Sequence, residues 1–188
     1  MDQIWNAETY LKTLLEPIAA ECAYTVDNIN DFKTKFLLDK VKFNENEHKI
    51  LSVDVINMYS NVNVPRVVSY VLEKIYSQPR KYFKFKSETG GFLPVPTRKN
   101  FLLETFQKYS IFRSPIGVYK QKSGLGMGSS ISACVANIFV NLMEQITVKD
   151  FFASGKLISY LRYAEDCIHI IRKNALRSFL KETFMIKD

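Results

Sequence analysis

The stretch LISYLRYAEDCIHIIRK, residues 157–173, sets two acids, Glu165 and Asp166, between two runs of strand-forming residues. Leu157, Ile158, Tyr160, Leu161 and Tyr163 lead in, and Cys167, Ile168, Ile170 and Ile171 lead out. Branched and aromatic side chains fit a pleated, half-buried surface, so the pattern predicts two strands joined by a tight turn. Acids in such a turn need no function of their own, because Asp tolerates unusual backbone angles. A third carboxylate changes the reading. ILSVDV, residues 50–55, is a short apolar strand carrying Asp54 near its end. Paired with the 157–172 hairpin, it brings Asp54, Glu165 and Asp166 to one end of a small antiparallel sheet.

Carboxylates gathered at one place repel one another and need cations. Hard oxygen ligands with no nearby histidine or thiol favour Mg²⁺, with Mn²⁺ sharing the preference. Two such ions about 4 Å apart stabilise both the attacking and the leaving oxygen of an in-line phosphoryl displacement. Upstream, SGLGMGSS, residues 123–130, is a glycine-rich loop opening a helix, which lets a backbone approach a nucleotide closely. Taken singly, Asp54 reads equally as a strand-end acid and the glycine run as an ordinary loop.

The rest of the chain alternates helices with short strands. Leu11, Leu14, Leu15 and Ile18 predict a first helix over 7–20, and Asp31 a cap for a second with Phe32, Phe36 and Leu37 inward. Residues 42–49 read as a polar loop. Pro65 opens a helix with Val67, Val68, Val71, Leu72 and Ile75 on one face. Residues 77–98 read as a long basic and aromatic connection. Thr97 caps a helix with Phe101, Leu102 and Phe106, and residues 109–121 form a hairpin turning near Ser114 and Pro115. Ser129 or Ser130 caps a helix whose stripe is Ile131, Val135, Ile138, Phe139, Leu142 and Ile146. Asn174 caps a last helix with Phe179, Leu180 and Phe184. His169 reads as a plain strand residue, and Cys134 and Cys167 as core. The fold class is α+β, a small antiparallel sheet backed by helices.

The 188 residues correspond to one domain or most of one, with 47% hydrophobic residues for a core. No stretch reads as a transmembrane helix or a signal peptide, and Cys22, Cys134 and Cys167 have no paired spacing. An intracellular, reducing location away from membranes follows. The net charge of +7 is concentrated: residues 80–128 hold ten Lys and Arg against Glu88 and Glu104. Within them KYFKFK, residues 81–86, alternates bases and rings, as a nucleic-acid surface does with Lys81, Lys84 and Lys86 on phosphates. The same alternation fits a solvated loop with its rings packed inward.

SVDVINMYSNVNV, GLGMGSSISACVANIFVNLME and RYAEDCIHI resemble, in this order, motifs A, B and C of reverse transcriptases, above all the Penelope-like branch of retroelement enzymes. YLKTLLEPIA and VYKQKSG are similar to that branch too, so the likeness covers residues 9–184. It implies a polymerase palm in a single partial domain over 1–188, with partial fingers and no thumb, and RNA-directed DNA synthesis on a primer–template with deoxynucleoside triphosphates. Asp54, Glu165 and Asp166 correspond to the catalytic, metal-binding acids, with the Val55 carbonyl as a further ligand of the two Mg²⁺ ions. Tyr59 corresponds to the ring under the incoming sugar, excluding a 2′-hydroxyl. Gly126, Met127, Gly128 and Ser129 match the loop that positions template and nucleotide, and Tyr163 opens motif C. Lys120 and Lys122, in the hairpin before motif B, join the basic side chains expected on the nucleic-acid backbone.

Three departures accompany the likeness. Glu165 stands where the family has aspartate, and its extra methylene displaces a ligand of an ion that demands near-octahedral geometry. GSSISA replaces GSPLSP and loses both prolines. The fingers segment ahead of residue 9, a thumb and an endonuclease domain have no counterpart, as in a truncated or decayed copy. The alternative function is a nucleic-acid-binding relative that does not polymerise.

Overall fold

The computed structural model describes residues 2–38, 43–79, 99–100, 102, 104–105, 111–126 and 129–184. Among them the elements are α1 (Asp2–Ala19), α2 (Ile29–Leu38), β1 (His48–Asp54), α3 (Val64–Ser77), β2 (Ile111–Ser114), β3 (Gly117–Lys120), α4 (Ser130–Ala153), β4 (Leu157–Tyr163), β5 (Asp166–Arg172) and α5 (Leu176–Phe184). Short 3₁₀ turns occupy Tyr59–Asn61 and Lys173–Ala175. The fold is α+β, with small antiparallel sheets accompanied by helices. It divides into two compact units, Met1–Glu21 with Asn57–Phe139, and Cys22–Ile56 with Val140–Asp188.

In the first unit α1 packs on α3. Leu11, Leu15 and Ile18 are buried from α1, and Val67, Val68, Val71, Leu72 and Ile75 from α3. The α3 set matches the face expected from spacing, and each such burial stabilises by about 1.5–3 kcal/mol. Asn63 starts α3, its side chain accepting from the Arg66 N–H at 3.1 Å, with Pro65 in the first turn where no N–H is needed. Lys74 reaches Glu21 at 3.2 Å. Helix α1 begins at Asp2 rather than near Ala7, because polar residues extend a helix that apolar spacing alone cannot trace. Strands β2 and β3 form the expected hairpin, turning at Pro115 and Ile116.

The second unit is built on a three-stranded antiparallel sheet in the order β1-β5-β4. Residues 24–26 add a short parallel bridge along β4, the Val26 N–H donating to the Arg162 carbonyl and the Arg162 N–H to the Tyr24 carbonyl, both at 2.8 Å. Val148 and Phe151 from α4, and Ala175 and Phe179 near α5, form a core with Leu157, Tyr160, Cys167 and Ile171. Leu51 and Val55 pack against the same core, so alternation leaves Ser52 and Asp54 on the other sheet face. His48 and Lys49, expected in a loop, join β1 opposite Arg172 and Ile171. A sheet edge accepts polar residues that a sequence window reads as loop.

Several expectations at helix ends and faces are corrected. Asn28, not Asp31, caps α2: its side chain accepts from the Asn30 and Asp31 N–H groups, while Asp31 accepts from the Asp27 N–H. Asn174 lies inside a 3₁₀ turn and is not the cap of α5. Along α4, Ile131, Val135 and Ile138 are buried, but Ile146 is 58% exposed and Phe139 and Leu142 are half-buried. The buried stripe continues through Asn141 and Glu144 to Val148 and Phe151. Two polar residues at buried positions broke the apolar pattern. Cys134 is half-buried, whereas Cys22 and Cys167 are buried. The Thr97 cap, Phe101, Phe106 and most of the 77–98 connection lie outside the described residues, as does the Phe184 side chain. Ile131–Ala153 is long and apolar enough to cross a membrane, with mean hydropathy 1.4, yet half of it is buried inside the protein, as in a core helix.

His169 is fully buried, stacked on Tyr160 at 5.3 Å and set edge-on to Phe179 at 5.3 Å. Burial pushes its imidazole down from 6.5 to about 4. The unfolded chain therefore takes up a proton that the folded chain refuses. This stability is complete above pH 6.5 and is lost as pH falls towards 4, by about 3 kcal/mol in total. His169→Phe keeps a ring and removes the titration. Its melting temperature should fall less than the parent's between pH 6.5 and 4; parallel curves would refute the account.

Candidate functional site

The acidic residues come together through strand register. Asp54, last in β1, pairs with Asp166, first in β5. The Val55 N–H donates to the Glu165 carbonyl at 2.9 Å, so residues 55 and 165 form a hydrogen-bonded rung. Asp54 and Asp166 form the adjoining non-bonded rung, where opposed Cα atoms lie about 4.5 Å apart. Tyr163 pairs with Asp166 from the other side. Asp54, Asp166 and Tyr163 therefore line up across one end of the sheet on one face, and all three are exposed. Like charges directly opposed on neighbouring strands destabilise a sheet, which makes this rung costly unless a cation sits on it. Glu165 is exposed in the two-residue turn with Ala164. Ala164 adopts φ 50°, a left-handed conformation uncommon outside glycine.

Beneath the turn lies a buried polar network that the sequence reading missed. Arg162 is 1% exposed and Glu144 2%. Arg162 Nε donates to Glu144 Oε1 at 2.7 Å, Nη1 to the Ala164 carbonyl at 2.9 Å, and Nη2 to Thr25 Oγ1 at 3.0 Å. The Tyr160 hydroxyl donates to Glu144 Oε1 at 2.8 Å. Burial works against the charge on Arg162, but the Glu144 carboxylate outweighs it and raises the guanidinium pKa. Burial, then Glu144, pushes the Tyr160 hydroxyl well up, and burial lifts the Cys167 thiol to about 11. The guanidinium stays charged and the thiol neutral across the physiological range. The available signal was Arg162 sharing the inward register of Tyr160, a charge where alternation calls for an apolar residue.

The first unit holds the residues expected around a nucleotide. Tyr59 is half-buried in the 3₁₀ turn, and its carbonyl accepts from the Leu125 N–H at 2.8 Å. Gly124, with φ +76°, lies against that turn so tightly that a Cβ would come 2.4 Å from the Ser60 carbonyl oxygen and 2.5 Å from that of Tyr59. The Gly126 carbonyl accepts from Ser132 Oγ at 2.8 Å, and Ser129 Oγ accepts from the Ile131 N–H at 3.2 Å, starting α4. Met127 and Gly128 lie outside the described residues, as do Lys81, Lys84 and Lys86. Lys120 and Lys122 are exposed on and just after β3. Phe112 and Tyr119 stack at 5.6 Å on the same hairpin.

At this exposed end of the sheet the donors are oxygens, which suits Mg²⁺ or Mn²⁺. Among the described residues no three His, Cys, Asp or Glu side chains form a ready cluster. Asp54 and Asp166, opposed on neighbouring strands, are the residues that could hold an ion, with Glu165 next in the turn.

No family model matches the sequence, and no curated protein matches it. Solved structures do match. Apo telomerase from Candida tropicalis superposes with a TM-score of 0.63 at 13% identity, over 95% of this chain and 33% of that one. A form of it truncated from its C-terminal domain gives 0.60 at 16%, over 93% and 35%. Telomerase from Candida albicans, in complex with a TWJ fragment of telomeric RNA, gives 0.58 at 15%, over 92% and 31%. The chain thus has the fold of a portion of telomerase, spanning about a third of those chains.

Gly124→Ala should lower the melting temperature by at least about 4 °C, since left-handed alanine costs about 1–2 kcal/mol and the carbonyls of 59 and 60 must also move. Gly155→Ala is the control. Gly155 has φ +65° but nothing within 4 Å, so its variant carries the backbone strain alone. Equal losses in the two variants would show that the contact with Tyr59 is immaterial.

Proposed function

We propose that this chain is the palm portion of a retroelement reverse transcriptase of the Penelope-like kind, an RNA-directed DNA polymerase. The observation carrying the reading is the Asp54–Asp166 rung at the exposed end of a three-stranded antiparallel sheet, in a chain with the fold of a telomerase portion. Asp54, Asp166, Glu165 and the Val55 carbonyl are the groups to hold two Mg²⁺ ions, or Mn²⁺ in their place. When bound, such ions neutralise charge on the attacking and leaving oxygens of nucleotidyl transfer. Tyr59 bounds the sugar pocket and favours deoxynucleotides. Gly126, Met127, Gly128 and Ser129 position template and nucleotide, and Tyr163 extends the exposed face beside Asp166. Lys81, Lys84, Lys86, Lys120 and Lys122 bind the primer–template backbone. Residues 1–188 belong to one partial polymerase domain, working inside the cell and away from membranes.

A second reading has its own observation. Glu165 carries a longer arm than the aspartate of the family, and three acids do not form a ready cluster among the described residues. A chain that binds nucleic acid without extending a primer fits those facts.

Primer extension on RNA and DNA templates with Mg²⁺ or Mn²⁺ separates the two. Extension abolished by Asp54→Ala supports the polymerase, and Glu165→Asp should then raise the Mg²⁺-dependent rate about tenfold, or about 1.4 kcal/mol of barrier. No extension, with retained duplex binding, selects the second reading. If Asp54→Ala leaves extension intact, the activity arises elsewhere.

In either case duplex affinity should fall steeply with salt, by on the order of 100-fold or more between 50 and 200 mM, as counterion release from several phosphates requires. Combined replacement of Lys81, Lys84 and Lys86 should flatten that slope. Salt-independent affinity would remove these side chains from the interface.

A further inference from the structure

The guanidinium of Arg162 ties three separate chain segments together. It takes Glu144 from α4 through Nε, Thr25 through Nη2, and the Ala164 carbonyl of the acidic turn through Nη1. Its own backbone is fixed on both sides by Tyr24 and Val26. Ala164 is the residue held at φ 50°, and a non-glycine residue stays there only when its surroundings over-determine it. On the opposite flank the Val55 N–H donates to the Glu165 carbonyl. Asp166 follows directly and faces Asp54.

We propose that Arg162, oriented by Glu144, is a positioning residue that fixes the Ala164–Glu165 turn and thereby the spacing of Asp54 and Asp166. Its effect on ion affinity rests on the reading of those acids as metal ligands; its effect on the turn does not. A planar guanidinium makes these contacts in fixed directions, which a lysine ammonium cannot reproduce at three partners at once. A buried ion pair need not add stability, since exchange of both partners for apolar residues of similar volume is often neutral. That separates a positioning role from a merely structural one.

The experiment uses Arg162→Met combined with Glu144→Leu, Arg162→Lys, and Tyr160→Phe as a control that removes only a hydroxyl from the network. Amide exchange is read by NMR at Val55, whose N–H bonds the turn, and at the sheet-core residues Ile170 and Ile171. Mn²⁺ affinity is titrated on each folded variant and on Asp54→Ala. The double variant should exchange Val55 at least tenfold faster with Ile170 and Ile171 still protected, and should bind Mn²⁺ at least tenfold more weakly. Should it fail to fold, Arg162→Lys is expected to give the same selective loss at Val55. Tyr160→Phe should leave Val55 near the parent value. Unchanged Val55 exchange in a folded Arg162 variant overturns the inference, whether or not Mn²⁺ binds. Mn²⁺ affinity that is absent from the parent, or indifferent to Asp54→Ala, overturns the reading of the acids while Val55 exchange still judges the role of Arg162.

Discussion

The register of β1 on β5 is the constraint on which the acidic site depends. Side chains alternate along a strand, so a slip of one residue would carry Leu51 and Val55 out of the core and turn Asp54 inward. The apolar residues of β1 therefore decide where its one acid points. Burial of Leu51 and Val55 against the α4 and α5 core thereby keeps Asp54 and Asp166 at opposed positions on neighbouring strands. Like charges so placed are unfavourable by themselves, and packing elsewhere in the same unit maintains the arrangement.

The two units contribute different kinds of restraint. In the second unit the restraint is polar: a buried arginine and glutamate with a tyrosine and a threonine, all beneath one turn. In the first it is steric. Gly124 comes so close to the 59–60 carbonyls that its missing side chain is the condition for the loop to lie where it does. Helix α4 enters both, starting at the Ser129 cap and continuing past Phe139 to Phe151 and Ala153.

Legibility from the sequence followed physical signal. The α3 face, the 157–172 hairpin and the pairing of Asp54 with it were readable because apolar periodicity is the strongest local signal. The stripe of α4 was misread beyond Ile138, because Asn141 and Glu144 occupy buried positions and solvent-facing Ile146 supplied a false continuation. His48 and Lys49 were misassigned because cross-strand partners 124 and 122 residues away decide their state. Arg162 and Glu144, 18 residues apart, carried no motif that marked them as partners. The motif resemblance singled out Tyr59 and the glycine loop but left unstated what holds them, and Gly124 only acquires its meaning once the 59–60 carbonyls are seen beside it.

The buried ion pair also shapes how this chain can change over generations. Loss of either Arg162 or Glu144 alone strands a charge in the interior, at a cost on the order of 3–5 kcal/mol, while loss of both together is close to neutral. Single nucleotide changes arrive one at a time, so the route to the neutral double replacement passes through a chain that carries this loss. Such a pair behaves as a ratchet. A lineage can drift at exposed positions, yet keeps these two residues for as long as folding itself is selected. Their joint presence is a test of whether a relative of this chain is still required to fold.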